Sequence, residues 1–288
     1  MLEDFLSIND LQLCCCTWKP TGSTIGRIVI LHGWLDQAMS WNRVAQRLIT
    51  KGFEVYIYDH RGHGRSAHVS SASHYHFIDY VADLQSFMDK NIPKDNIPTT
   101  LVGHSMGGSI ALIFAAAVSS KGLDRLVLIE GLGPPVESPT QALNRLRRHL
   151  RQRHTLSTHP VFSSPAQATE RYLKRHPYLC EQEASFLTQR MLLQTKNGWF
   201  WSWDPRHRQS AALSYPESLR LSLIENITTP TSILLCHQSP YIKLPELNDR
   251  MSHFGIPIQQ EYIDCGHSPH LEKPDLLSDW IVQIAART

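Results

Sequence analysis

Short apolar runs alternate along the chain with segments in which apolar residues repeat every three or four positions. The run at 27–31 is rich in β-branched residues, which is typical of a strand covered on both faces. The predicted strands occupy 27–31, 53–58, 100–102, 125–129, 231–236 and 258–263. The predicted helices occupy 40–51, 77–88, 109–119, 244–254 and 276–285. This alternation predicts a doubly wound, mostly parallel sheet of the α/β class.

The first residues depart from this pattern. Apolar residues alternate loosely between Phe5 and Leu13, and Asn9-Asp10 interrupts the alternation. Asn and Asp favour the backbone conformations of tight turns. The segment therefore predicts two antiparallel strands, joined by a hairpin, at the start of the sheet.

The regular alternation stops after the predicted strand at 125–129. Between 138 and 226 we find helical patterns without convincing strands, at 143–150, 165–174, 181–193 and 219–224. A helical block inserted between two strands predicts a cap laid over the strand ends. We therefore expect a core domain formed by 1–133 and 227–288, with a helical cap, or lid, at 134–226.

Composition and charge narrow the class of protein. Apolar residues make up 42% of the chain and charged residues 19%, and no segment reaches the roughly 18 to 20 uninterrupted apolar residues of a membrane helix. Glu3 and Asp4 stand where a secretory signal would carry positive charge. We expect a soluble, cytoplasmic protein without a transmembrane segment, with peripheral membrane contact as the alternative. The net charge of +2 gives no indication of nucleic-acid binding.

Neither the cysteines nor the histidine-rich loop predicts a metal site. The six cysteines lack zinc-ligand spacing, and the adjacent ones cannot pair easily, so we expect reduced thiols. The loop at 59–66, DHRGHGRS, contains His60 and His63, but Asp59 is the only acidic residue in it. We interpret this loop as structural, and nothing in the sequence indicates a cofactor.

The stretch Gly103-His104-Ser105-Met106-Gly107 joins a predicted strand to a predicted helix. A serine between two glycines in this setting is the pattern of a nucleophile elbow, a strained turn that lifts the serine hydroxyl above the sheet edge. The N-terminus of the helix would direct its free N–H groups at an oxyanion forming beside the serine. The alternative is a tight turn with a purely structural role.

A second motif, His32-Gly33-Trp34, ends the predicted strand at 27–31. In enzymes with such an elbow, a His-Gly pair at this place precedes the residue whose N–H supplies half of the oxyanion hole. We predict that the N–H groups of Met106 and Trp34 form this hole. The alternative is an ordinary turn between strand and loop. The predicted substrate-binding residues here are His32, Gly33 and His104.

The predicted cap contains two unusual segments. In the first, Trp199, Trp201 and Trp203 alternate with other residues and could form one wall of an acyl pocket, or could attach the cap to the core. The second runs from 138 to 169 without Asp or Glu and predicts an amphipathic basic helix. Its charges form either a solvated face or a surface that attracts an anionic substrate or a membrane. They are Arg145, Arg147, Arg148, Arg151 and Arg153.

Taken together, these motifs resemble the α/β-hydrolase superfamily over nearly the whole chain: HGW, DHRGHGRS, GHSMGG, a helical insertion and a histidine after the last predicted strand. GHSMGG, with IEGLGP after the next strand and a short cap, is most similar to the serine hydrolase-like (Kraken-type) group. The resemblance implies that Ser105 is the nucleophile. It implies His267, in GHSPHLEKP, as the general base that takes the serine proton and returns it to the leaving group. His270 is the alternative base.

The resemblance leaves the acid of the triad open. Most members carry it after the penultimate strand, where this chain has Ser239, and a hydroxyl cannot stabilise an imidazolium as a carboxylate does. A variation within the superfamily moves the acid to the end of the strand after the elbow. Glu130 occupies that position and is assigned as the acid. Asp264 and Asp204 are the alternatives.

These residues predict a serine hydrolase that cleaves a carboxylic ester or thioester of a small-molecule acyl substrate through an acyl-enzyme. Dehalogenase and epoxide-hydrolase chemistry needs a carboxylate nucleophile, and position 105 is serine. Two alternatives remain. One is other chemistry on the same triad, namely carbon–carbon bond hydrolysis or perhydrolysis, and the other is a non-catalytic small-ligand sensor. The sequence indicates no oligomeric state.

Overall fold

A computed structural model describes residues 1–118, 122–153, 155 and 157–287. Strands and helices alternate through most of the chain, and the bounds of each follow. The strands are β1 (Leu2–Ile8), β2 (Leu11–Trp18), β3 (Gly26–Leu31), β4 (Phe53–Tyr58), β5 (Thr99–His104), β6 (Arg125–Ile129), β7 (Leu192–Thr195), β8 (Gly198–Trp201), β9 (Thr231–Cys236) and β10 (Ile258–Ile263). The helices are α1 (Asn42–Thr50), α2 (Phe77–Asn91), α3 (Met106–Ala117), α4 (Pro139–Gln152), α5 (Pro165–Leu173), α6 (Glu181–Arg190), α7 (Glu217–Glu225), α8 (Leu247–Ser252), α9 (Pro269–Glu272) and α10 (Pro274–Ala285).

Eight of these strands form one sheet in the order β1-β2-β4-β3-β5-β6-β9-β10. The six strands from β4 to β10 in this order are parallel, and β1 and β2 are antiparallel additions at one edge. The predicted doubly wound, mostly parallel sheet of the α/β class is confirmed. Because the carboxyl ends of parallel strands meet at one edge, the loops after β3, β5, β6 and β10 gather there.

Both faces of the sheet are covered, which explains why its central strands are continuously apolar. In β3, Ile28 and Ile30 pack into a cluster with α1 and α10, whereas Val29 and Leu31 pack into a second cluster with α2 and α3. Successive side chains of a strand point to opposite faces, so each strand contributes to both cores.

The predicted hairpin at the start of the chain is also confirmed. β1 pairs antiparallel with β2 in unbroken register from Leu2–Thr17 to Ile8–Leu11. Asn9 and Asp10 both adopt positive φ, at 47° and 62°. Two consecutive residues of this kind form the turn whose twist matches that of paired strands, and Asn and Asp accept it at low cost.

Two predicted helices have different bounds in the structure. The helix predicted at 109–119 begins at Met106, immediately after the elbow serine, and ends at Ala117; Ser119 lies outside the described residues. The two glycines after Met106 looked like part of the turn but belong to the first turn of the helix. The helix predicted at 244–254 is shorter, Leu247–Ser252, because a 3₁₀ turn at Pro240–Lys243 precedes it.

The segment between β6 and β9 contains the four predicted helices, but the expectation that it holds no strands was wrong. Helix α6 ends at Arg190, and β7 and β8 form an antiparallel hairpin. The turn signal Asn197-Gly198 and the aromatic residues after it favour a hairpin. Gly198 has a φ of 124°, and a Cβ there would lie 2.5 Å from the carbonyl oxygen of Phe162.

One arginine fastens this segment to the sheet. The guanidinium of Arg190, at the end of α6, donates hydrogen bonds to Asp59 (2.8 Å), Gln37 (2.7 Å) and Glu3 (3.0 Å). Its side chain is only 11% exposed, and a charge so buried needs such partners. The contacts hold α6 against the loops that follow β3 and β4.

Candidate active site

Ser105 lies between β5 and α3 in a strained backbone conformation, with φ 53° and ψ −113°. L-residues rarely adopt such a conformation, and it persists only where the surroundings enforce it. The flanking glycines explain how the turn fits. A Cβ at Gly103 would lie 2.5 Å from the carbonyl oxygen of Gly107, and a Cβ at Gly107 would collide with that of Leu31.

Ser105, His267 and Glu130 form one hydrogen-bonded series. His267 Nε2 lies 3.0 Å from Ser105 Oγ, and His267 Nδ1 lies 2.5 Å from Glu130 Oε2. The three residues come from the ends of β5 and β6 and from the loop after β10. The parallel sheet therefore brings together residues that are 137 and 162 positions apart in the sequence.

Glu130 is held from two sides. It follows β6 directly, its φ is 47°, and its side chain is buried. Its second carboxylate oxygen, Oε1, accepts a hydrogen bond of 2.9 Å from the backbone N–H of Cys236 at the end of β9. Hydrogen bonds therefore fix both carboxylate oxygens, and only Oε2 faces the imidazole of His267.

The loop carrying His267 is itself fixed by two side chains. His104 Nε2 donates to the His267 carbonyl oxygen at 2.7 Å, and Glu272 accepts hydrogen bonds from the N–H groups of Gly266 (2.8 Å) and Ser268 (3.4 Å). Burial keeps the pKa of His104 well below its ordinary value, so this ring is a neutral donor. The sequence analysis missed Glu272, whose only signal is its place in GHSPHLEKP.

The alternatives for the acid have other partners. Ser239 Oγ accepts a hydrogen bond from the Tyr241 N–H and caps a 3₁₀ turn. Asp264 accepts a hydrogen bond from Gln238. Asp204 pairs with Arg206 at the start of another 3₁₀ turn.

The alternative base, His270, lies deeper than His267. Its ring is 2% exposed and stacks on Trp41 at 4.5 Å with an interplanar angle of 4°. Its Nε2 lies 3.3 Å from Asp36 Oδ2. Burial alone would raise the pKa of Asp36, but the contact with His270 holds it below the ordinary value, so this carboxylate stays ionised.

Of the two predicted oxyanion-hole residues, Met106 directly follows Ser105, and Trp34 lines the same cavity as Ser105. Met106 opens α3, and the first N–H groups of a helix have no partner within it. Gly33, which precedes Trp34, lies against Ser105, since a Cβ on Gly33 would be 3.5 Å from Ser105 Cβ. The first turn of α3 and the loop at Gly33 therefore both lie beside Ser105.

His32 lies behind this loop rather than in the cavity. It is fully buried; its Nδ1 is 2.8 Å from the Gly33 carbonyl oxygen, and its Nε2 accepts a hydrogen bond from the His60 N–H. Because Nε2 accepts, the proton is on Nδ1, and burial lowers the pKa so that the ring stays neutral. His32 shapes the loop and has no surface free for a substrate.

A cavity of about 330 Å³ opens above Ser105 and His267. Of the residues predicted to bind substrate, Gly33, His104, Trp201 and Trp203 line this cavity, whereas Trp199 is not among its lining residues. Trp199 instead pairs with Phe162 and packs against the core. The alternative base His270 also lines the cavity, together with polar and charged residues that the sequence analysis did not identify: Asp36, Arg171, Arg175, His176 and Arg208.

One group of potential metal ligands is occupied by a guanidinium. Glu3, Cys14 and Cys16 bring ligand atoms within 4.8 Å of one another. Arg190 donates hydrogen bonds to Glu3 Oε2 at 3.0 Å and to Cys14 Sγ at 3.2 Å. A positive charge therefore already neutralises the group, and it lies apart from the residues that line the cavity.

The sequence profile of the alpha/beta hydrolase family matches residues 28–280, and the chain belongs to this family. It is 24% identical over 276 residues to a serine hydrolase-like protein of Danio rerio, a match that covers 92% of this chain and 82% of that protein. The resemblance to the serine hydrolase-like group is confirmed.

Two further relatives carry names that mention an activity. A monoacylglycerol lipase of Mycolicibacterium smegmatis is 32% identical over 118 residues, or 40% of this chain and 41% of the lipase. The chain thus spans about two fifths of that relative's length. Among solved structures, the thioesterase domain from the curacin biosynthetic pathway superposes with a TM-score of 0.89 at 28% identity, covering 98% of this chain and 99% of that domain.

Among the helices of the described residues, none combines the length and the apolar character needed to cross a membrane.

The predicted basic helix is α4, and one of its charges is neutralised. Arg145 pairs with Glu137 at 2.8 Å. None of the five arginines of this segment lines the cavity above Ser105.

Proposed function

We propose that the protein is a serine hydrolase that cleaves a carboxylic ester or a thioester through an acyl-enzyme intermediate. The observation that carries this proposal is the series Ser105 Oγ–His267 Nε2, 3.0 Å, and His267 Nδ1–Glu130 Oε2, 2.5 Å, at the base of a cavity. The lipase and the thioesterase among its relatives support the same class of reaction.

In the acylation step, Ser105 Oγ attacks the carbonyl carbon of the substrate while His267 Nε2 takes the hydroxyl proton. The negative charge that develops on the carbonyl oxygen accepts hydrogen bonds from the N–H groups of Met106 and Trp34. The tetrahedral intermediate then collapses, and His267 donates the proton to the departing alkoxide or thiolate. Glu130 keeps the Nδ1 proton in place and stabilises the transient imidazolium.

In the deacylation step, a water molecule takes the position of the leaving group. His267 removes its proton, the resulting hydroxide attacks the ester carbonyl on Ser105, and the same N–H groups hold the oxyanion. Collapse releases the carboxylic acid and returns the proton to Ser105 Oγ.

The domain arrangement forms part of the proposal. We assign 1–133 and 227–288 to the core domain and 134–226 to the cap. The cap supplies Trp201 and Trp203 to the cavity wall, and the core supplies the triad. The cap thus contributes to substrate selection, and the core carries the chemistry.

A fluorophosphonate probe tests the reactivity of the serine independently of the natural substrate. We expect the wild type to be labelled and the Ser105→Ala variant to remain unlabelled. Ser109→Ala, which removes a hydroxyl from the helix that follows Ser105, is the matched control and should be labelled like the wild type. A wild type that is neither labelled nor able to turn over 4-nitrophenyl esters would contradict the proposal and favour a ligand sensor.

A further inference from the structure

We propose that the ester or thioester cleaved by this protein carries a negatively charged group, which Arg171, Arg175 and Arg208 hold at the mouth of the cavity. This inference rests on the proposed function and specifies its substrate class. All three side chains line the cavity whose base is formed by Ser105 and His267.

The three arginines reach the cavity from two separate segments. Arg171 lies in the last turn of α5, and Arg175 lies in the turn that follows the end of this helix at Leu173. Arg208 ends the 3₁₀ turn after the β7–β8 hairpin, and its guanidinium lies 5.0 Å from the centre of the Trp203 ring. That stacking holds one cation against the cavity wall.

The charges of these arginines are not neutralised by neighbouring carboxylates. In the part of the chain that the structure describes, none of the three is within ion-pair distance of a carboxylate. Glu170, beside Arg171 in sequence, pairs with Lys174 at 2.8 Å instead. Asp36 is the only carboxylate among the lining residues and lies against His270 at 3.3 Å. The mouth therefore carries an excess of positive charge.

This arrangement fits an anionic substrate group for two physical reasons. Arginine remains charged throughout the physiological pH range, and its planar fork binds carboxylate and phosphate oxygens in pairs. A cleft lined by one sign of charge also raises the local concentration of oppositely charged ligands. His176 adds no charge near neutral pH, because burial lowers its pKa to about 4.

The anionic group could belong to the acyl part or to the leaving group, and two substrate pairs distinguish these sources. The mono-4-nitrophenyl ester of adipic acid is compared with 4-nitrophenyl hexanoate, which has the same chain length and no carboxylate. Acetyl-coenzyme A is compared with S-acetyl-N-acetylcysteamine, which has the same thioester and no phosphate. We expect kcat/KM to be at least about 10-fold higher for the anionic member of one pair.

Variants connect this preference to the arginines. We expect Arg175→Gln and Arg208→Gln each to lower the anionic-to-neutral ratio of kcat/KM by about 10-fold. Arg147→Gln, which removes an exposed arginine of α4 outside the cavity, is the matched control and should keep the wild-type ratio. Added salt should lower the ratio in the wild type, because it screens exposed charges.

The inference and the proposed function fail in different ways. Equal kcat/KM values within both substrate pairs would overturn the anionic substrate class. An anionic-to-neutral ratio of kcat/KM that stays unchanged in both Arg175→Gln and Arg208→Gln would overturn it as well. In either case, turnover of a neutral ester would still support the hydrolase. Absence of turnover for every substrate, together with absence of fluorophosphonate labelling, would instead contradict the hydrolase itself. The ratio in the wild type decides the inference even where a variant fails to fold.

Discussion

At the scale of single residues, Glu130 combines a positive φ of 47°, complete burial and two directed oxygens. Removing an ionised carboxylate from water is costly unless hydrogen bonds replace the lost hydration. The Cys236 N–H and the His267 ring supply them, one to each oxygen. Such a carboxylate is suited to stabilise positive charge on the imidazole during proton transfer.

Replacing Glu130 by Gln tests this role. The amide keeps the size of the side chain but cannot stabilise an imidazolium, so we expect kcat to fall by as much as about 10⁴-fold. Steady-state hydrolysis of a 4-nitrophenyl ester measures the change. Asp264→Asn removes an exposed carboxylate close in sequence to His267 and should leave kcat within about 2-fold. Near-full activity of Glu130→Gln would remove Glu130 from the triad.

Glu272 accepts hydrogen bonds from the backbone of the loop that carries His267, and we predict that it positions this histidine. Glu272→Gln keeps the shape but provides only one carbonyl oxygen for two N–H donors. We expect kcat to fall by about 10-fold while KM stays close to the wild type, because the effect concerns the placement of the base. Partial recovery in Glu272→Asp would support positioning, whereas an unchanged kcat in Glu272→Gln would contradict it.

At the scale of elements, the strand–turn–helix from β5 to α3 is the most constrained part of the fold. Gly107 packs against the carbonyl of Leu31 in the neighbouring strand β3, where no Cβ fits. This close approach lets α3 begin directly after the serine, so that its first N–H groups border the hydroxyl. The local packing and the geometry of the site therefore depend on each other.

Gly107→Ala should consequently destabilise the protein. Because the added methyl group would clash with backbone atoms, no side-chain rotation can relieve the clash. We therefore expect the free energy of unfolding to fall by about 3 kcal/mol. Urea unfolding measures this loss. Gly22→Ala is the matched control, because a Cβ there meets nothing within 4 Å, and its stability should remain near the wild type. Equal stability of the two variants would contradict the close-packing argument.

Some elements of secondary structure could be predicted from the sequence more accurately than others. Strands 53–58, 125–129 and 231–236 have the predicted bounds, because buried apolar runs are a local signal. The strand at 258–263 also has the predicted bounds, although it is only partly buried. The β7–β8 hairpin was missed, since its aromatic alternation is short and follows a helical pattern. Within the candidate site, motifs predicted Ser105 and His267, whose side chains lie 3.0 Å apart, but no local pattern could reveal the cavity arginines. Their position depends on how the segment between β6 and β9 folds over the sheet.

At the scale of the whole molecule, neutral histidines are a conspicuous part of the interior. His32, His60, His63 and His104 have pKa values held below the ordinary value by burial, and burial lowers the pKa of His207 to about 4. In the unfolded chain these residues titrate near pH 6.5. At a pH between the lowered pKa values of the folded protein and the value of about 6.5 in the unfolded chain, the unfolded state binds more protons than the folded state. The stability of the folded state therefore decreases as the pH falls.

We therefore expect the melting temperature to decrease steadily from about pH 7.5 to about pH 5, with each such histidine contributing up to about 1.4 kcal/mol per pH unit. Differential scanning fluorimetry measures the slope. His207→Phe should make it shallower, whereas His253→Gln, which replaces a histidine exposed by 37%, should leave it unchanged. A melting temperature independent of pH over this range would contradict the prediction.

The side chain of Arg190 connects two parts of the protein that are far apart in the sequence. Glu3 in the first strand and Arg190 beside the cavity-lining Met191 are 187 positions apart, yet one guanidinium joins them. A tag or truncation that disturbs the opening residues would release this side chain from one of its anions. If the protein acts as proposed, changes at the amino terminus should therefore alter its preference for the acyl chain of the substrate, although the changed residues are distant in sequence from the cavity.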